Sequence, residues 1–191
     1  NSDRSKARDG GVGEMGKVLK RILKIVITLV LLVVVVIGMY IAYLMITYNR
    51  IIDHYPVELS SNVTTVLSAD KEYKADTYNI GFGAYTPDYT FFMDEGIMAD
   101  GTHTVGEHSI AVSKESVIAC TEGVTNVMKE QGCDFMLFPE VDNDSTRSYQ
   151  VNQKAMIEKA FPGLGSAFAV NFHSAFLAYP IPEMHGIVNA G

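Results

Sequence analysis

An amide and a carboxylate, Asn79 and Glu140, are the side chains of this sequence best suited to hold a hard cation together. Each lies in a short segment that closes an apolar run: Tyr78-Asn79-Ile80-Gly81 and Phe138-Pro139-Glu140-Val141-Asp142. If the two runs are neighbouring β-strands, their ends bring an amide oxygen beside a carboxylate oxygen. That donor set suits Mg²⁺, with Mn²⁺ as its substitute. Taken singly, Asn79 reads as a strand-end or turn residue and Glu140 as a solvated carboxylate; the helix-like stretch between the two strands favours the metal reading.

Two further residues are candidate catalytic groups. Asp142 follows Glu140 by two positions, so on an extended chain both point to one face. It either orients water or a ligand beside the ion, or serves as a cap or surface acid at the turn Asp142-Asn143-Asp144-Ser145. Arg147 offers a planar donor for a substrate phosphate, or else an ion pair with Asp142 or Asp144.

The elements that must position these residues can be read from pattern. Tyr73 to Ile80 reads as a strand that ends at Gly81-Phe82-Gly83. Ser113 is an N-cap for a helix to about Gln131, with Val117, Ile118, Val124, Val127 and Met128 mostly on one face and Gly132 just past its end. Phe135 to Val141 is an apolar run of strand length. Strand, helix, strand is the βαβ-like order of a layered α/β domain. A second helix is expected over Ser148 to Ala160, stopping before Pro162-Gly163, and a strand over Phe168 to Tyr179. Val57 to Leu67 alternates within a connector over 48–72, and Ala84 to Ser109 reads as a long irregular loop.

One segment sets the cellular context. Ile25 to Thr47 carries no charged residue, and a helix of that length spans roughly 35 Å. It lacks the short apolar core and small-residue cleavage site of a signal peptide, so it reads as an uncleaved signal anchor. A buried core helix is the alternative, but the run has no polar face. Tyr40, Tyr43 and Tyr48 lie toward its far end, where aromatic rings favour the membrane interface.

Lys17, Lys20, Arg21 and Lys24 precede the span, and Arg50 is the nearby basic residue after it. The positive-inside rule then leaves 1–24 in the cytoplasm and places the rest outside. Charge divides accordingly: residues 1–24 carry seven basic and three acidic groups, net +4, leaving -11 of the total -7 to residues 25–191. The basic tail, with its first 13 residues expected to be disordered, can rest on anionic lipid. The acidic outer part disfavours nucleic acid, which is bound mainly through Lys and Arg.

Cys120 and Cys133 match no zinc spacing; a disulfide and two buried free thiols are both open. The five histidines are scattered, and His103 and His108 lack the helical spacing of a zinc pair. Asn62-Val63-Thr64 and Asn143-Asp144-Ser145 match the glycosylation acceptor pattern.

The placement of Asn79 at one strand end and of Phe138-Pro139-Glu140-Val141-Asp142 at the next resembles the start of the endonuclease/exonuclease/phosphatase family. That family includes DNase I-like nucleases, neutral sphingomyelinases and inositol polyphosphate phosphatases. The resemblance covers about residues 73–191. Its second motif usually reads Leu-Gln-Glu-Val, and here Pro139 stands in the glutamine position. It implies the first half of a DNase I-like two-sheet α/β sandwich, with Glu140 as the principal Mg²⁺ ligand and Asn79 supporting the ion directly or through water.

The family's later motifs, a catalytic His, an Asp-x-Asn pair and a final Asp-His, do not follow. With the opening Asn, this leads to the expectation of an incomplete chain, inactive by itself, whose outer part exposes apolar surface. The expected activity of the intact protein is hydrolysis of a phosphodiester or phosphomonoester, on a phosphorylated small molecule or a phospholipid head group. The alternative is a non-catalytic, membrane-anchored binding domain of the same fold.

Overall fold

A computed structural model describes residues 2–60 and 66–191. The chain mixes helix and strand and divides into two units, Asn1–Thr47 and Tyr48–Gly191.

The first unit is one helix, α1 (Ser2–Thr47). Its Met15–Thr47 stretch is long and apolar enough to cross a membrane, and none of its most apolar window is buried inside the protein. At 1.5 Å per residue its 33 residues reach about 50 Å, more than a bilayer's hydrocarbon core. The side chains from Ile22 to Ile37 are exposed around the whole circumference, which is opposite to a buried core helix. The helix also runs back to Ser2, where disorder was expected. Extending an already nucleated helix costs far less than starting one.

In the second unit, β2 (Ala75–Thr77) pairs in parallel with β5 (Phe135–Leu137). The crossover between them holds α2 (Lys114–Gln131). The pairing outlasts the regular strands: Tyr78 N–H donates to Leu137 O (2.9 Å), and Ile80 N–H to Pro139 O (3.1 Å). Pro139 therefore still serves the ladder as an acceptor, although it has no N–H to give.

Beyond it the chain turns to a new neighbour. Val141 and Gly191 exchange both backbone bonds (2.9 and 3.0 Å), and Asn143 N–H donates to Asn189 O (2.8 Å). This aligns 141–143 antiparallel to the end of β8 (Gly186–Ala190), which in turn pairs with β7 (Phe172–Leu177). Backbone bonds thus link β2, 135–143, β8 and β7 in that order, with left-handed Glu140 interrupting the middle segment. β8 was not anticipated, and the expected strand over Phe168–Tyr179 is two: β6 (Ser166–Phe168) and β7.

β6 pairs with β1 (Glu58–Ser60), so the expected connector over 48–72 supplies a strand to the second unit. Residues 61–65 of the alternating piece, with the acceptor pattern at Asn62, lie outside the described residues. Glu158 on α3 (Gln153–Ala160) fastens this strand pair: its carboxylate accepts from Lys154 Nζ, Ser60 Oγ and Ser166 Oγ. Those donors, Lys154 first, pull its carboxyl down to about 2. Because Tyr149 and Gln150 take positive φ, the second helix starts at Gln153 with Asn152 as cap, not at Ser148.

Helix α2 starts and stops as its caps require. Ser113 and Ser116 form a reciprocal capping box, and Gly132 closes the helix at φ 61°. Its buried face, however, is Val117, Thr121, Thr125 and Met128, while Val127 is exposed. Threonine can be buried here because its hydroxyl bonds the preceding turn: Thr121 Oγ1 to Val117 O and Thr125 Oγ1 to Glu122 O.

The segment read as an irregular loop contains a hairpin, β3 (Glu95–Ile97) with β4 (His103–Val105). It also sends Ala84 and Tyr89 into the core with Phe82, Ala111, Val117 and Val151. Outside that core Phe135, Leu137 and Ile187 remain exposed, as an apolar sheet face would leave them.

Candidate functional site

Asn79 and Glu140 meet. Asn79 Nδ2 donates to Glu140 Oε1 at 2.8 Å, and both side chains are exposed. The parallel β2/β5 ladder brings them level, because Ile80 and Phe82 bond the carbonyls of Pro139 and Glu140 in step. Asn79 Oδ1 accepts from Gly81 N–H (2.8 Å), which sets which way the amide faces. The carboxylate therefore meets the amide nitrogen and not the amide oxygen, so Asn79 holds Glu140 in place from one side.

The backbone around the pair is bent. Glu140 lies at φ 60°, and Gly81, Phe82 and Gly83 follow one another at φ 50°, 44° and 73°. Left-handed conformations at non-glycine residues cost on the order of 1–3 kcal/mol each. Glycine is required at Gly83, where a Cβ would come within 2.9 Å of Gln153 Nε2 and 3.0 Å of Val117 Cγ1. This turn drops the Phe82 ring into the core and leaves the chain before it open as the wall of a groove.

Asp142 does not share the face of Glu140. Glu140 is exposed, while Asp142 is 0 % exposed, because the left-handed residue at 140 breaks the extended geometry that the two-residue alternation requires. Asp142 is instead held by Arg147 through two bonds, Nε to Oδ2 (3.0 Å) and Nη2 to Oδ1 (2.8 Å). The guanidinium lies over the Phe82 ring, 4.2 Å from its centroid. Gln153 completes the cage: its Oε1 accepts from Asp142 N–H (2.9 Å), and its Nε2 donates to Thr121 Oγ1 (2.9 Å). Of the readings open for Arg147, the ion pair with Asp142 is the one found, and it is buried, so Asp142 is not the surface acid that its turn suggested. The pair props up the strand end that carries Glu140.

The groove beside the pair has a volume of about 480 Å³. Its walls include Tyr78, Ile80, Tyr85, Cys120 and Val124 as well as Asn79 and Glu140. Burial, then the negative charges of Asp94 and Glu140, push the Tyr85 hydroxyl up; burial does the same to the Cys120 thiol. Both cysteines are free. Sequence reasoning missed Tyr85, whose only signal is its place four residues after Gly81. Among the described residues no cluster of three or more His, Cys, Asp or Glu side chains could hold a metal.

His185 is packed against Phe91 and Phe92, and its buried Nδ1 has no hydrogen-bond partner among the described residues. Burial and the Arg147 charge lower its pKa against the smaller pull of Asp142. A histidine lowered on folding binds its proton more readily when unfolded, so its contribution to stability is lost as pH falls below the ordinary 6.5. Urea midpoints of the wild-type protein should therefore fall from pH 6.5 to pH 5. The slope should flatten in His185→Asn; an equal slope in both proteins rules this cause out.

No family model matches the chain, and neither does any curated protein or solved structure.

Proposed function

We propose that the protein is a membrane-anchored, Mg²⁺-dependent phosphoesterase of the endonuclease/exonuclease/phosphatase type. In this reading its second unit belongs to a DNase I-like sandwich on the extracytoplasmic side. The observation that carries the reading is the Asn79–Glu140 contact at adjacent parallel strand ends, at the wall of a groove of ligand size. One exposed carboxylate, Glu140, lines the groove where the ion would sit. Mg²⁺ keeps several waters and is held by one or two carboxylates plus substrate phosphate oxygens, so one exposed carboxylate with open surroundings is sufficient. When bound, the ion neutralises charge developing on the phosphoryl oxygens.

The chain's own residues have separate tasks. Glu140 supplies the charged oxygen, and Asn79 orients it through the amide N–H. Asp142 and Arg147 are positioning residues that brace the strand end from within. The apolar helix anchors the protein, and the basic residues before the span orient it with the tail inside. The acidic outer part favours a phosphorylated small molecule or a phospholipid head group over nucleic acid.

The test is Mn²⁺ binding, followed by electron paramagnetic resonance on the full chain in nanodiscs. Glu140→Gln should weaken binding at least about tenfold, and Asn79→Ala by roughly 10-fold, the range for groups that orient a metal ligand. Binding that is unchanged in Glu140→Gln overturns the reading.

A second reading, an anchored binding domain without turnover, is favoured by one feature. Glu140 is the only carboxylate among the described residues lining the groove, and no histidine joins it. Mg²⁺-dependent hydrolysis of bis(4-nitrophenyl) phosphate that disappears in Glu140→Ala excludes this second reading.

A further inference from the structure

Tyr85 is half-exposed, yet its ring is held firmly. The ring meets Tyr89 edge-on at 5.3 Å between centroids and Phe82 at 6.4 Å, and lies tilted against Phe91 at 6.4 Å. The Cδ2 edge of the ring occupies the space beside Gly81, where a Cβ would come 2.4 Å from Cδ2. A side chain at Gly81 would push the ring away, and Gly81 at φ 50° leaves the space open. The remaining 52 % of Tyr85 is accessible, and the residue lines the same groove as Asn79 and Glu140.

A fixed aromatic surface at the mouth of a site loses little conformational entropy when something stacks on it. The groove is otherwise divided by chemistry. Ile80 and Val124 give apolar wall, and Asn79 with Glu140 gives the polar end. An occupant that satisfies both parts has a flat apolar portion and a polar group that a cation can bridge to Glu140. At about 480 Å³ the groove lies within the range of small-molecule sites.

We propose that Tyr85 is a stacking platform and that the groove takes a small phosphate ester whose alcohol portion carries a planar aromatic ring. This narrows the substrate class of the site and rests on the phosphoesterase reading for the phosphate end alone. Phospholipid head groups have no planar ring and are disfavoured. Glu140, with Asp94 also contributing negative charge near Tyr85, repels an anionic ester, so binding depends on Mg²⁺ at the phosphate end.

The test compares phenyl phosphate, cyclohexyl phosphate and phosphocholine by calorimetry, with Mg²⁺ present, on the full chain in nanodiscs. The three share a phosphate and differ in the group beside it. Phenyl phosphate should bind about tenfold more tightly than cyclohexyl phosphate, in keeping with the measured worth of a stacked ring. Tyr85→Leu, which keeps apolar bulk to protect the fold, should erase the preference, and Tyr85→Phe should retain it. Equal affinities in the wild-type protein, tighter binding of phosphocholine, a preference that survives Tyr85→Leu, or no binding of any ester overturns the proposal.

Glu140→Gln separates this proposal from the reading it rests on. That variant should weaken all three esters alike. If it weakens none while the phenyl preference persists, the platform stands and the role given to Glu140 falls.

Discussion

Arg147→Ala is expected to remove about 3–5 kcal/mol from the stability of the second unit. The substitution leaves Asp142, 0 % exposed, without the guanidinium that holds both of its oxygens. Breaking a buried ion pair from one side costs about 3–5 kcal/mol, because the remaining charge has neither water nor partner. That is a large share of the roughly 5–15 kcal/mol by which domains are stable. Urea denaturation followed by near-ultraviolet circular dichroism of the tyrosines measures it.

Removing both charges should cost less than removing one. The double variant Asp142→Asn with Arg147→Met is therefore expected to be more stable than Arg147→Ala alone. A cost below about 1 kcal/mol for Arg147→Ala would mean that the pair behaves like an exposed one, and its role in holding the Glu140 strand end would be lost. Arg147→Lys is a useful intermediate: it keeps the charge but cannot reproduce the two-pronged contact.

Phe82→Ala is the second large effect expected. Phe82 is 2 % exposed, and it forms the core with Tyr89 and Val117 while carrying the Arg147 guanidinium on its face. Truncating a buried phenylalanine costs about 3–5 kcal/mol through lost transfer energy and the cavity left behind. The desolvated cation–π contact adds up to about 2 kcal/mol. Part of this is offset, because alanine adopts φ 44° with less crowding than a bulky side chain.

Phe82→Leu separates the terms, since it keeps most of the volume but not the ring. If the two variants are equally destabilised, the ring face contributes nothing beyond its size. Phe82→Ala and Arg147→Ala touch the same contact, so their costs should fall short of additive by at least about 0.5 kcal/mol. Additivity would place the stacked guanidinium outside the energetics of the core.

The local readings that succeeded depend on few residues close in sequence. A run without charge from Ile25 to Thr47 has one structural outcome, a helix apolar on every side, whatever follows it. Ser113 and Gly132 delimit α2 because capping is settled within one turn of each end. The meeting of Asn79 with Glu140 was also legible: two strand ends joined by one helix tend to lie parallel and level.

Other features depended on partners distant in the chain. Periodicity placed Val127 on the buried face of α2, but a threonine face is buried instead, since Gln153 from 32 residues away bonds Thr121. Alternation placed Asp142 beside Glu140, but φ 60° at Glu140 sent Asp142 inward to Arg147. Tyr85 lay in a stretch too irregular to read, and its ring gained a fixed place only when Gly81, Phe82 and Tyr89 closed around it. By itself the sequence determined the apolar helix and the capped helix, because short-range propensity and pattern suffice for those. Only the tertiary structure decided which carboxylate faces the groove and which is locked in the core, because a single left-handed residue reverses sidedness and nothing local announces it.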